Sequence, residues 1–381
     1  MNSFAMNSFD VQNQAWWPQR LLILLRFPSL LRAYALGLWP ACFLAFISAS
    51  ISPCFGETNT GALFAPPAAQ TQAQDDIWLI STRQIGTTCT NQAMQRGLDC
   101  RTLVKDSQGE PAWKTADWRE LTEPARACQT IIYVHGNRVV SGYDRVEGLN
   151  VYRSFQKHRT FAGPVRFIIW SWPSEQISRP IKDYLVKAQR TNPVAWQMAW
   201  FLDKLPNETP LSMVGYSYGT RVICGASHLL AGGRIGPLKL GKRLHANRPP
   251  ARAALMAAAF DANWLQPGKF YSRTMSKLEH VVLGTNKLDP AMRFYHLSNG
   301  RGHMDALGKF GLHKPRTLGA ALSRVRRIDY TQAVGRSHVI DDYLNAGSQM
   351  QAMWRELMGN RPRNVPPIVN KTPASPLLSN L

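Results

Sequence analysis

No CxxC pair and no HExxH stretch occurs in the 381 residues, so neither a zinc site nor a dithiol redox centre is expected, and no cofactor is called for. Acidic residues are scarce. The chain carries 24 Asp and Glu against 45 Lys and Arg, a formal net charge of +21. A surplus of that size suits contact with anionic lipid or polysaccharide, or a solubilising surface. Nucleic acid is not an expected partner, because no recognised binding motif accompanies the charge. Basic residues concentrate in 239–252 and 309–327, and both stretches are expected near the mouth of the site.

Charge is missing altogether from residues 33–51, an apolar stretch preceded by Arg20, Arg26 and Arg32 and followed by small residues. This pattern reads as an export signal or an uncleaved anchor, with the amino end held in the cytoplasm. The chain is therefore expected to be exported, either periplasmic or anchored to the bacterial inner membrane and facing the periplasm. Residues 1–53 form that segment and 54–76, rich in Ala, Pro, Gln and Thr, form a flexible linker. The folded unit is assigned to 77–346, and 347–381 to a C-terminal helix and a disordered tail. Only six cysteines occur, four of them in the folded region. Export permits disulfides, which favours a Cys89–Cys100 bridge in a hairpin between the first strands; Cys224, among apolar residues, reads as a buried free thiol.

What is present is sharper. Gly215, Tyr216, Ser217, Tyr218 and Gly219 form a GxSxG run. A short apolar strand from Leu211 precedes it, and Val222, Ile223, Ala226, Leu229 and Leu230 follow at helical spacing. A serine in so tight a strand-to-helix turn stands clear of the sheet edge, and glycines flank it because a β-carbon there would strike neighbouring backbone. Ser217 is thus a candidate nucleophile. The apolar run 130–134 ends in His135, Gly136 and Asn137. This order predicts that the amides of Asn137 and Tyr218 form an oxyanion hole, with the His135 side chain bonded within its loop.

Apolar runs at 253–259 and 280–284 read as two further strands, each followed by a carboxylate, Asp261 and Asp289. The acid is expected after the second, so Asp289 is assigned and Asp261 is the alternative. A last strand at 324–330 leads to His338, the expected base, with His303 as the alternative. The Trp170–Pro173 strand end could line an acyl pocket or serve packing, and residues 174–192 and 293–317 are lid candidates.

These residues carry a resemblance. IWLISTR, YVHG, FIIWSWPSE, GYSYGTR and RSHVIDDYL together resemble α/β hydrolases, and among them the DUF900-like esterase/lipase group. The resemblance spans residues 77–344 and implies an eight-stranded, mostly parallel sheet flanked by helices, and a Ser/Asp/His triad. It implies no substrate. Two functions stay open at this point. One is a serine hydrolase cleaving a small-molecule or lipid carboxylic ester through an acyl-enzyme on Ser217. The other is an inactive hydrolase scaffold, anchored in the membrane and binding anionic envelope components.

Overall fold

The computed structural model describes residues 75–359, apart from 125–126, 178, 294 and 296–303. The expected export segment, the linker through residue 74, the tail from residue 360 and the alternative base His303 lie outside the described residues, and Asp76, expected to end the linker, opens the first strand. No helix among the described residues is long and apolar enough to cross a membrane.

Continuous apolar runs make the centre of the molecule. β4 (Thr130–Val134), β5 (Arg166–Ser171) and β6 (Leu211–Tyr216) are buried along their whole length, as strands covered on both faces must be. They belong to one nine-stranded sheet of order β3-β2-β1-β5-β4-β6-β7-β8-β9. Here β1 is Asp76–Ser81, β2 Asp99–Lys105, β3 Pro111–Thr115, β7 Ala251–Met256, β8 Leu278–Thr285 and β9 Val325–Asp329. From β1 through β9 every pairing along the sheet is parallel; β2 pairs antiparallel with both β1 and β3. The architecture is an α/β-hydrolase fold.

Nine strands replace the expected eight. The outermost is β3, which closes a hairpin with β2 whose turn is tied by Asp106 Oδ1 accepting from the Gln108 and Glu110 amides at 2.8 and 2.9 Å. Its outer strand, PAWKT, is exposed or half-buried throughout and has no apolar run to announce it. The expected Cys89–Cys100 bridge is absent: both thiols are free. Between β1 and β2 the chain forms a loop and helix α1 (Asn91–Gly97) instead of a hairpin. That loop turns the Cys89 sulfur toward the Pro193 carbonyl, 3.7 Å away, while Cys100 lies buried in β2. Cys224 is a buried free thiol, and burial pushes its ionisation far up.

Helices α2 (Tyr143–His158), α3 (Pro180–Lys204) and α4 (Gly219–Leu230) connect the central strands. All twelve residues of α4 are buried. The C-terminal helix Gly347–Met358 docks on the sheet: Trp354 Nε1 donates to Ser154 Oγ at 3.1 Å, and Arg252 donates to the Leu357 and Glu356 carbonyls, both at 2.6 Å. The basic stretch 239–252 is not at the site mouth. Arg248 is buried against the carbonyls of Leu205 and Pro206 at the end of α3, and Lys277 Nζ donates to the Ala246 carbonyl. Both contacts sit where β6, β7 and β8 begin, the sheet edge opposite Ser217.

The strand order fixes where a site can form. The chain leaves β4 for β5 on one side, then returns through α3 to β6 on the other. Loops after β4 and β6 therefore diverge, and the crevice between them is where open α/β sheets take ligands.

Candidate active site

Ser217 sits at the carboxyl end of β6 with φ at 51°, a left-handed conformation rare for a residue with a side chain. Such backbone strain costs about 1–3 kcal/mol and must be held by its surroundings. Here the Ser217 amide donates to the Met256 carbonyl at 2.9 Å, and Thr220 Oγ1 donates to the Ser217 carbonyl at 2.6 Å. The flanking glycines are required by contact. A β-carbon on Gly219 would lie 2.1 Å from the Val134 carbonyl oxygen, and one on Gly215 would lie 2.9 Å from the Thr220 nitrogen.

Three side chains converge there. His338 Nδ1 lies 2.7 Å from Asp289 Oδ2, and His338 Nε2 lies 3.1 Å from Ser217 Oγ. A carboxylate only accepts, so the ring hydrogen belongs on Nδ1, leaving Nε2 to accept from the serine hydroxyl. Asp289 is fully buried, and its carboxylate is satisfied by donors. Besides His338 these are the Tyr343 hydroxyl at 2.7 Å and the amides of Ala291 and Met292 at 2.9 and 3.3 Å. Burial first, and the neighbouring Asp289 charge second, push the Tyr343 phenol far above its ordinary range, so it remains a donor.

Asp261, the alternative acid, is not part of this chain of bonds. It accepts from the Tyr295 hydroxyl at 2.9 Å, and the His338 nitrogen that would face an acid is taken by Asp289. The reason is topological. Asp261 follows β7, one strand nearer to Ser217, whereas the loop carrying His338 follows β9 and meets the end of β8.

The loop after β4 is stapled in place. Its His135 is fully buried, stacked on Trp172 with ring centroids 5.6 Å apart. Burial, aided by Arg83, pushes its imidazole down to about 3. The neutral ring accepts from the Trp172 amide through Nε2 at 3.1 Å, so Nδ1 donates to the Gly136 carbonyl at 2.9 Å. Trp170 and Trp172 are thus packing residues and do not line the cavity. Further along the loop, Asn137 Nδ2 and Arg138 Nε both reach Asp183 Oδ2, at 3.2 and 3.4 Å. Lys187 Nζ holds the other Asp183 oxygen at 2.9 Å, with both side chains fully buried. Ser174 accepts from the Arg138 amide through its carbonyl at 2.8 Å and from the Val139 amide through Oγ at 3.1 Å. Arg83 donates to the Val139 carbonyl at 3.0 Å. No bond engages the amide of Asn137 or of Tyr218 among the described residues. Both residues line the cavity that Ser217 faces.

Sequence reasoning assigned no role to Asp183, Lys187, Ser174 or Arg83. The Asp183–Lys187 spacing of four on one helix face was the available signal.

The cavity measures about 630 Å³ and is walled mainly by aromatic and aliphatic side chains. Tyr184 of α3 and Tyr218, Tyr295 and Met292 stand among them, and Val139, Val339 and Ile340 add further apolar wall. From the lid candidates, residues 180–192 form the first half of α3 and bring Tyr184 to the wall; part of 293–317 lies outside the described residues.

One carboxyl also faces this cavity. Glu147 of α2 is 5% exposed, and burial raises its ionisation to about 7 even though the Tyr133 hydroxyl donates to it at 2.5 Å. A carboxyl raised on folding keeps a proton that the unfolded chain releases near its ordinary pH, so stability falls as pH climbs from about 4 toward 7 and is level above. Glu147→Gln removes that loss. Urea unfolding is expected to show the variant more stable than wild type by on the order of 3 kcal/mol at pH 8 and equal to it at pH 4.

No family model matches the chain, and no curated protein matches it. Among solved structures, it is similar to the catalytic core domain of acetyl xylan esterase from Trichoderma reesei, at 16% identity over 61% of this chain and 98% of that one, TM-score 0.31. Trichoderma reesei cutinase is similar at 15% identity over 60% of this chain and 74% of that one, TM-score 0.28. Zea mays acyl-protein thioesterase 2 is similar at 15% over 60% and 94%, TM-score 0.30. Likenesses of that order transfer no chemistry, so a functional reading has to rest on the side chains of the site itself.

Proposed function

We propose that the protein is a serine hydrolase of carboxylic esters, acting through an acyl-enzyme on Ser217. The observation that carries this reading is the unbroken Ser217–His338–Asp289 hydrogen-bond chain opening on a cavity beside two unengaged amides. In the first step Ser217 Oγ attacks the ester carbonyl carbon while His338 Nε2 takes the hydroxyl proton. The charge developing on the carbonyl oxygen is met by the Asn137 and Tyr218 amides. Collapse breaks the bond to the alcohol oxygen, which receives the proton from His338. A water then attacks the acyl carbonyl by the same route and releases the acid. Asp289 holds the imidazole in the tautomer both steps need.

The convergence of the three side chains favours this enzyme over the inactive binding scaffold. The affiliation with the DUF900-like group and the export to the periplasmic face belong to the proposal. Cell fractionation with protease accessibility tests the export.

The reading is tested at Asp289. Asp289→Asn keeps the shape but offers Nδ1 a donor, which turns the imidazole to the wrong tautomer. On a p-nitrophenyl ester, kcat is expected to fall by about 10⁴-fold with the fold intact. Full activity in this variant would remove Asp289 from the mechanism.

A further inference from the structure

If Ser217 forms the acyl-enzyme, the leaving alcohol has one place to be. Its oxygen must lie within hydrogen-bond reach of His338 Nε2, the atom that returns the proton. The cavity that His338 lines has Val139, Val339 and Ile340 in its wall, and Tyr216 and Glu147 are among the polar groups it includes. The Tyr216 ring is stacked on His338 with centroids 5.3 Å apart. Its side chain is 6% exposed, and its buried hydroxyl has no partner among the described residues. In the same cavity lining, Glu147 uses one oxygen to accept from Tyr133, and the other has no bond among the described residues. Tyr216 and Glu147 both line the cavity that Ser217 faces.

A buried phenol left without a partner is unfavourable by about 1–3 kcal/mol, a penalty that a ligand can relieve. Tyr216 offers a donor and Glu147, ionised at pH 8 where the test is run, an acceptor. A hydroxyl group accepts from the one and donates to the other, whereas an alkyl chain leaves both unpaired.

Resting on the hydrolase reading above, we propose that Tyr216 and Glu147 form a subsite for a free hydroxyl on the leaving alcohol, making the preferred substrates esters of diols or polyols. A site built to bond a hydroxyl discriminates strongly against the analogue that lacks it, because its own polar groups are then stranded.

The test compares glycerol monoacetate with propyl acetate, which share an acyl group and a three-carbon alcohol, on the full chain. Wild type is expected to favour the glycerol ester in kcat/KM by about tenfold or more. Tyr216→Phe, which keeps the ring on His338, and Glu147→Leu are each expected to bring that ratio toward unity. Glu147→Gln keeps one acceptor, for Tyr133, but turns an amide donor to the substrate in place of the free oxygen, so it too should bring the ratio toward unity and serves should Glu147→Leu fail to fold. A wild-type ratio near unity overturns the subsite, as do variants that lower both esters equally, the mark of a purely structural role. Fluorophosphonate labelling of Ser217 separates the two levels. An adduct without ester preference overturns the subsite alone, and no adduct on folded protein overturns the hydrolase reading with it.

Discussion

Ser217→Ala is expected to lower ester hydrolysis by about 10⁵-fold or more, and His338→Ala by a similar factor. The two losses should not add. Once the serine is gone, the imidazole has no proton to take, so the double variant is expected to match the singles. The geometry behind this is specific: one nitrogen of His338 is 3.1 Å from the Ser217 hydroxyl, and the other is 2.7 Å from a buried carboxylate. Residual turnover should come from the Asn137 and Tyr218 amides and from the cavity, which persist in both variants. Steady-state kinetics on a chromogenic ester, with circular dichroism as a check of folding, reads all three. A double variant much slower than either single would mean that serine and histidine act separately.

Gly219→Ala is expected to be the most damaging single-methyl change in the elbow. The added carbon would stand 2.1 Å from the Val134 carbonyl oxygen and 2.8 Å from that of His135. Neither is the end of a flexible side chain. Val134 closes β4, fully buried in the sheet, and α4 is buried along its length, so relief requires moving the helix off the strand. Inserting a methyl into a packed core costs about 1–3 kcal/mol when side chains can adjust. A clash with rigid backbone is expected to exceed about 4 kcal/mol, a large share of the roughly 5–15 kcal/mol by which domains are stable. Gly347→Ala, where the new carbon meets nothing within 4 Å, serves as the control. Urea midpoints should show the first variant strongly shifted or recovered only as aggregate, and the second within about 0.5 kcal/mol of wild type. Equal midpoints for Gly219→Ala and wild type would mean that β4 and α4 are not in contact as described.

How much of this was legible in the sequence depends on which force shapes each part. β4 and β6 could be read because strands covered on both faces need uninterrupted apolar residues, and 130–134 matches β4 from end to end. The serine turn could be read because steric crowding dictates its glycines. Chain order alone suggested Asp289 and His338, and the structure brings the two side chains together because the loops after β8 and β9 are neighbours at the sheet edge. Other parts had no such signature. β3 pairs through its backbone and is only half-covered, so its side chains carry no pattern. The segment before β2 coils into α1 rather than a hairpin, and that choice separates Cys89 from Cys100. The basic stretch 239–252 carries its charge at the far sheet edge, where Arg248 bonds carbonyls at the end of α3. The staple of the loop after β4 joins Arg83, Ser174 and the Asp183–Lys187 pair of α3, three segments that only the folded chain unites.

The central claim is that Ser217 is an activated nucleophile, and intact-mass spectrometry after exposure to a fluorophosphonate tests it most directly. Wild type is expected to gain a single adduct, mapped by peptide sequencing to Ser217. Ser217→Ala should gain none, and His338→Ala should gain it far more slowly. Folded wild-type protein that stays unmodified, or an adduct on any other residue, would contradict the account.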